Sequence, residues 1–244
     1  MVEVLPPRPT TFLFCYNFNM KKHSIELFSK LNDTLKDEIN RYAKLISFSK
    51  GDTVFNSYDA TEYFYIFLSG RIKVYQINFE NSKEQTIFML GLGDMFDTIT
   101  LLDGKIHEVA TEILEDGEAL RLPIEKVREW IDTNPAFNRI FFPYIANQMR
   151  KIEELSVELS LYDTSQRLIR LILKNLTPAK KGVKSLLQNL SRSEIASLIG
   201  TVRHVVDRHI NELKQNGAIE VKRKNIIVKD INRLLESISA KKIS

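Results

Sequence analysis

Arg203, His204, Asp207, Arg208 and Asn211 are spaced so that a helix would gather them on one side. Val202, Val205, Val206, Ile210 and Leu213 recur at helical spacing and would form the packed face behind them. Arginine donates two parallel hydrogen bonds to guanine O6 and N7, or clamps a phosphate, and both choices are open to Arg203 and Arg208. His204 donates or accepts according to its protonation. Asp207 orients Arg208, accepts from a cytosine amine, or serves only as a cap. Such a set on a short helix suits reading of a DNA major groove, although a charged outer face is common on helical hairpins with no such role.

The flanking residues favour the first reading. Ser191 and Glu194 have the spacing of a capping box, so a helix with Ile195, Leu198 and Ile199 on one face should start there. Gly200 supplies a tight turn, and Thr201 is placed to cap the helix that follows. Ser191, Arg192, Ser193 and Thr201 are candidates for phosphate contact. Two extended runs, 218–221 and 225–228, flank Lys222, Arg223 and Lys224, which predicts a wing with three cations for phosphates at its tip.

Composition agrees. The formal charge of +4 hides a split, with 17 Lys or Arg against 7 Asp or Glu from residue 160 onward and 18 against 24 before it. One part is suited to a polyanion and the other is not. The single cysteine, Cys15, excludes an intramolecular disulfide, an all-cysteine iron–sulfur cluster and a Cys-rich zinc site, and fits a reducing cytoplasm. Residues 11–20 are too short for a membrane span and lack a cleavage signal. There is no phosphate loop, no dinucleotide fingerprint, no histidine pair at metal-ligand spacing and no nucleophile with a base, so no enzyme is expected.

Ahead of the helical unit, residues 24–45 have a helical pattern. Short alternating runs follow at 53–55, 63–68, 72–77, 85–90, 109–114 and 119–123, separated by glycine- and aspartate-bearing turns. They predict an antiparallel sandwich or jelly-roll barrel, hence an α+β chain. A long helix should then run through Ile145, Met149, Ile152, Leu155, Leu159 and Tyr162, whose spacing makes a coiled-coil seam. It either covers the sheets or joins two copies. Because helices of this kind usually read DNA in pairs, a homodimer is the better use of it.

In this order the elements resemble the CRP/FNR family of transcription regulators. The resemblance covers roughly residues 27–235 and rests on Lys50-Gly51-Asp52 with Phe55, the run from Tyr65 to Tyr75, residues 91–102, Leu190 to Ala196, and Gly200-Thr201-Val202-Arg203. It implies a sensory jelly-roll resembling a cyclic-nucleotide-binding domain (1–135), a dimerisation helix (136–163) and a winged helix-turn-helix (164–244). It also implies double-stranded DNA and RNA polymerase as partners. The segment matching the family's cyclic-phosphate cradle runs from Asp97-Thr98 to Glu108-Val109, and a carboxylate at Glu108 would repel a phosphate, which argues against cyclic AMP. Haem is a further candidate ligand, with His23 or His107 as axial donor. Two alternatives stay open: a cyclic-nucleotide-gated regulator, and a sensory or scaffold protein whose basic half binds RNA, protein or anionic lipid.

Overall fold

The computed structural model describes residues 31–53, 55–176, 187–222 and 225–239. Helix α1 (Asp33–Tyr42) starts at Asn32, whose side chain accepts from Leu35 N at 2.9 Å, and buries Leu35 and Ile39. It ends earlier than the pattern suggested: Leu45 lies in strand β1 (Lys44–Phe48). The part of the expected helix before residue 31 lies outside the described residues.

Of the strand expected at 53–55, Thr53 and Phe55 are not in a strand and Val54 lies outside the described residues. Asp52 Oδ2 accepts from Ser49 N at 2.8 Å, and Asn56 Oδ1 accepts from Tyr58 N and Asp59 N at 3.0 and 2.9 Å. Such local side-chain bonds compete with strand pairing. Instead of a bare turn, a short helix, α2 (Asp59–Glu62), follows.

Among the described residues, seven strands of the first part form two antiparallel sheets. With β2 (Tyr63–Phe67), β3 (Arg71–Asn78), β4 (Lys83–Leu90), β5 (Met95–Phe96), β6 (Ala110–Glu115) and β7 (Gly117–Pro123), the orders are β1-β7-β2-β5 and β4-β3-β6. Helix α3 (Thr98–Asp103) follows β5. Strand β2 is apolar throughout because both its faces are covered. Tyr65 and Phe67 join Phe48, Phe55, Ile72 and Val74 between the sheets, while Phe64 and Ile66 pack outward with Leu35, Ile39 and Trp130. Phe55 sits among Phe67, Phe48 and Tyr65, edge to face, at ring separations of 5.0, 5.1 and 5.1 Å. On the outer face of β3, Lys73 is buried between Glu84 at 2.8 Å and Glu112 at 2.5 Å.

Helix α4 (Ile124–Thr133) leads into α5 (Pro135–Leu161), a single helix that begins ten residues before the seam. Asn134 caps it by accepting from Ala136 N and Phe137 N at 3.0 and 3.2 Å. The first turns bury Phe137 and Phe141 on the first part of the chain. Beyond them, Met149, Ile152, Leu159 and Leu161 stay exposed.

The remaining elements are α6 (Thr164–Lys174), α7 (Arg192–Leu198), α8 (Arg203–Gln215), β8 (Ile219–Lys222), β9 (Asn225–Val228) and α9 (Ile231–Ser239). Leu168, Ile169, Ile172, Ile195, Val206, Ile210, Leu213 and Leu234 form their shared core, which Leu114 and Met89 of the sheets also join. No helix among the described residues is long and apolar enough to cross a membrane.

Candidate nucleic-acid interface

Ser191 accepts from Glu194 N at 3.2 Å while Glu194 reaches back to Ser191 N, so the capping box is formed and sets where α7 begins. Gly200 takes φ +64°, and a Cβ there would collide with Gln85 Oε1 and Leu159 Cδ2. The positive φ is what favours glycine, since both of those neighbours are ends of side chains that can move. The cap of α8 is not the one expected. Val202 is its N-cap, half out of the helix and exposed, with no side-chain cap bond, while Thr201 N donates to Ala196 O at 2.9 Å.

Val206, His209, Ile210 and Leu213 form the buried side of α8. The opposite side presents Arg203 and Arg208 with side chains 70% and 62% exposed, beside exposed His204 and Asn211. Asp207 does not orient Arg208, since neighbours one apart diverge on a helix. It lies 3.5 Å from Arg203 Nε, one turn earlier, and 3.7 Å from Arg192 Nε of α7. Arg208 faces Glu212 at 3.9 Å. Burial pulls the Arg192 guanidinium below its ordinary pKa, and Asp207 opposes that shift.

His209 carries a role that the sequence reading missed. It is 3% exposed, with Nε2 3.0 Å from Thr164 Oγ1 at the start of α6 and Nδ1 3.2 Å from Glu212 Oε2. The signal was its spacing, three residues after Val206 and four before Leu213, on the apolar stripe. Ser193 is exposed at the start of α7, and Ser191, Arg192 and Thr201 are half-buried nearby. Lys222 ends β8 with its side chain 64% exposed and 3.4 Å from Glu220. Arg223 and Lys224 lie outside the described residues.

This unit rests on the three-stranded sheet. Thr86 Oγ1 of β4 and Ser197 Oγ of α7 are 2.8 Å apart and buried, and Arg71 Nη1 donates to Gln188 O at 2.8 Å. The contact leaves the polar side of α8 open.

A second site lies between β3, β4, the α3 segment and α5. It is a cavity of about 420 Å³, lined by Phe88, Phe96, Ile99, Leu102 and other apolar side chains, with Asp97, His107, Tyr144 and Gln148 among its few polar ones. His107 Nδ1 is 2.7 Å from Asp97 Oδ2, and this bond raises the imidazole's pKa above its ordinary value. Asp97 also accepts from Ile99 N at 3.0 Å and Thr100 Oγ1 at 3.2 Å. Glu108, expected to repel a phosphate, is exposed and takes no part in the wall; the carboxylate that does is Asp97. His23 lies outside the described residues.

Of the seam residues, Met149 and Ile152 are 68% and 40% exposed at the cavity mouth, and Ile145 lies deeper in its wall. Leu155 and Leu159 line a separate cleft of about 290 Å³ between α5, β4 and the C-terminal unit. Tyr162 is the C-cap of α5 rather than part of its body, and its ring lies under Arg170 at 4.1 Å.

Comparison with known proteins matches residues 45–134 to the cyclic nucleotide-binding domain and residues 166–237 to the Crp-like helix-turn-helix domain. Electron transport regulator A of Shewanella oneidensis is 26% identical over 230 residues, 91% of this chain and 89% of that protein. The CRP-like cAMP-activated global transcriptional regulator of Mycobacterium tuberculosis is 22% identical over 192 residues, 78% of this chain and 85% of that one. Among solved structures, a mutant form of CooA from Carboxydothermus hydrogenoformans superposes with a TM-score of 0.66 at 23% identity, covering 84% of this chain and 89% of that one.

Proposed function

The chain belongs to the CRP/FNR family of sequence-specific, DNA-binding transcription regulators, which are not enzymes, and from that premise we propose that it works as a homodimer on an inverted-repeat operator. Each protomer would place α8 in a major groove, with Arg203, His204, Asp207 and Arg208 at the bases. Ser191, Arg192, Ser193, Thr201 and the wing cations Lys222, Arg223 and Lys224 would hold flanking phosphates. The observation that supports this most directly is the exposure of Arg203 and Arg208 on α8 over a buried opposite side.

The dimer reading draws on the apolar side chains that α5 leaves exposed, above all Met149 and Ile152. A second α5 would cover them and set the separation of the two reading helices. We read the two sheets as halves of a sensory jelly-roll within residues 1–135, α5 as the dimerisation helix of 136–163, and 164–244 as the DNA-binding part. A ligand that moves the sheets against α5 would reposition the reading helices. RNA polymerase is the further partner of such a regulator.

The test is binding to sites selected from randomised duplexes. Arg203→Ala and Arg208→Ala should each weaken the selected site by about 10-fold or more, since a bidentate arginine–base contact is worth ~1–3 kcal/mol, with a smaller loss on random DNA. Equal losses on both would leave only phosphate contacts. Unchanged binding would end the reading of α8 as the recognition helix.

A further inference from the structure

We infer that Glu212 and the buried His209 tune the base preference of α8 through Arg208: Glu212 is the carboxylate that orients the Arg208 guanidinium, and the His209 ring, tied to Thr164 on its far side, holds Glu212 in place. The inference rests on reading α8 as the recognition helix, and it adds positioning residues to that reading.

The side chains form one continuous path. Thr164, the first residue of α6, has its Oγ1 3.0 Å from His209 Nε2, and His209 Nδ1 lies 3.2 Å from Glu212 Oε2. Glu212 Oε1 in turn faces Arg208 Nε at 3.9 Å. A carboxylate only accepts, so Nδ1 carries the ring hydrogen toward Glu212, and Nε2 of the neutral ring accepts from the Thr164 hydroxyl. Both ring nitrogens are used, and a ring only 3% exposed has little room to turn. On the buried stripe with Val206, Ile210 and Leu213, an apolar residue would pack without needing partners. What the histidine adds there is a fixed donor beside a half-exposed acid.

Exposure explains why that matters. The Glu212 and Arg208 side chains are 50% and 62% exposed, and an isolated pair at such a surface holds neither member, because water and side-chain entropy compete with it. A carboxylate held from the interior presents a fixed charge instead. Arg208 then has fewer conformations to lose when it meets a base, and its planar, forked contact depends on orientation. Arg203 also has a carboxylate one turn on, Asp207 at 3.5 Å, but Asp207 leans on Arg192 of α7 at 3.7 Å rather than on His209. A change at His209 should therefore reach one arginine and not the other.

The experiment begins with site selection by the unaltered full-length protein, by Arg208→Ala and by Arg203→Ala, which identifies the base pair that each arginine reads. Each variant is then titrated against the selected duplex and against duplexes substituted at either base pair, and the ratio of affinities gives the selectivity at each. Ratios are compared because removing a carboxylate strengthens binding to any polyanion. Glu212→Gln and His209→Leu should lower the ratio at the Arg208 base pair by about 3-fold, the worth of one oriented ion pair, and leave the ratio at the Arg203 base pair unchanged. His209→Leu keeps the stripe apolar and Glu212→Gln changes only a half-exposed side chain, so both test a folded protein. His209→Asn, whose amide nitrogen falls near the place of Nδ1, should keep the ratio, whereas His209→Gln, whose nitrogen falls near Nε2, should lose it. Both bury an amide, so a difference between them reports the bond to Glu212 rather than stability. Equal losses at both base pairs, no loss at either, or the same ratio for His209→Asn and His209→Gln would each overturn the inference while leaving α8 as the recognition helix. If Arg208→Ala changed no base preference, the reading of Arg208 itself would fail and the inference with it.

Discussion

The polar side of α8 takes all its side chains from residues 203–211, whereas the cavity wall is drawn from β3, β4, β5, the α3 segment, the loop carrying His107 and α5. The first site is exposed and its charges meet water. The second is mostly apolar, and polar groups in its wall bond to one another, as His107 does to Asp97. A DNA-reading surface can be written locally because its partner supplies most of the remaining geometry. A small-molecule cavity must be closed by long-range packing before it exists. Changes in the packed half should therefore act through folding, and changes on α8 through binding alone.

The sharpest way to break that contrast is Phe55→Ala. Phe55 is 1% exposed and meets the rings of Phe67, Phe48, Tyr65 and Phe96. Emptying such a position should cost about 3–5 kcal/mol and lower the melting temperature strongly. The expected denaturation profile shows loss in the two-sheet part, while Arg203→Ala leaves it unmoved. If Phe55→Ala cost under about 1 kcal/mol, the aromatic cluster would not be the framework on which the cavity depends.

A smaller effect is expected where the two regions meet. Ser197→Ala removes one of two buried hydroxyls 2.8 Å apart and strands Thr86, which should cost about 1–3 kcal/mol. A double-mutant cycle with Thr86→Val should return a coupling of about 1 kcal/mol. Zero coupling would mean that the DNA-binding part does not rest on the sheet in solution. The cavity could then influence α8 only through α5.

The same contrast governs what the residues revealed in advance. The capping box at Ser191, the turn at Gly200 and the charge split are local signals, and the helix-turn-helix and the polar side of α8 followed from them. His209 escaped because its type is polar although its position lies on the apolar stripe. Its bond to Thr164 joins α8 to α6 across 45 residues. Val202 was placed on the packed side by spacing alone, but the helix had not yet begun there. In the first half, alternation showed the antiparallel strands but not the local turns on either side of 53–55, where Asp52 accepts from Ser49 N and Asn56 from Asp59 N. It also could not show which acid faces the cavity. Glu108 and Asp97 lie 11 positions apart in one loop-rich segment, and only the course of α3 puts Asp97 inside and Glu108 outside.

The smallest effect tests whether His107 and Asp97 hold each other in solution as their separation in the cavity wall indicates. The bond to Asp97 is the main cause of the raised His107 pKa, ahead of burial, which opposes it. A histidine raised on folding contributes stability that is fully present below its unfolded value of about 6.5 and is lost as pH rises through the raised folded value. The stability difference between the unaltered protein and His107→Gln should thus be largest below pH ~6.5, about 1 kcal/mol after allowance for partial exposure, and should shrink above the raised value. Urea unfolding at stepped pH measures it. Arg203→Ala should give a difference that is flat across the same range, because Arg203 keeps its charge throughout and its side chain is 70% exposed. A flat profile for His107→Gln would mean that His107 and Asp97 do not form an ion pair in solution. Asp97 would then be held in the wall by its bonds from Ile99 N and Thr100 Oγ1.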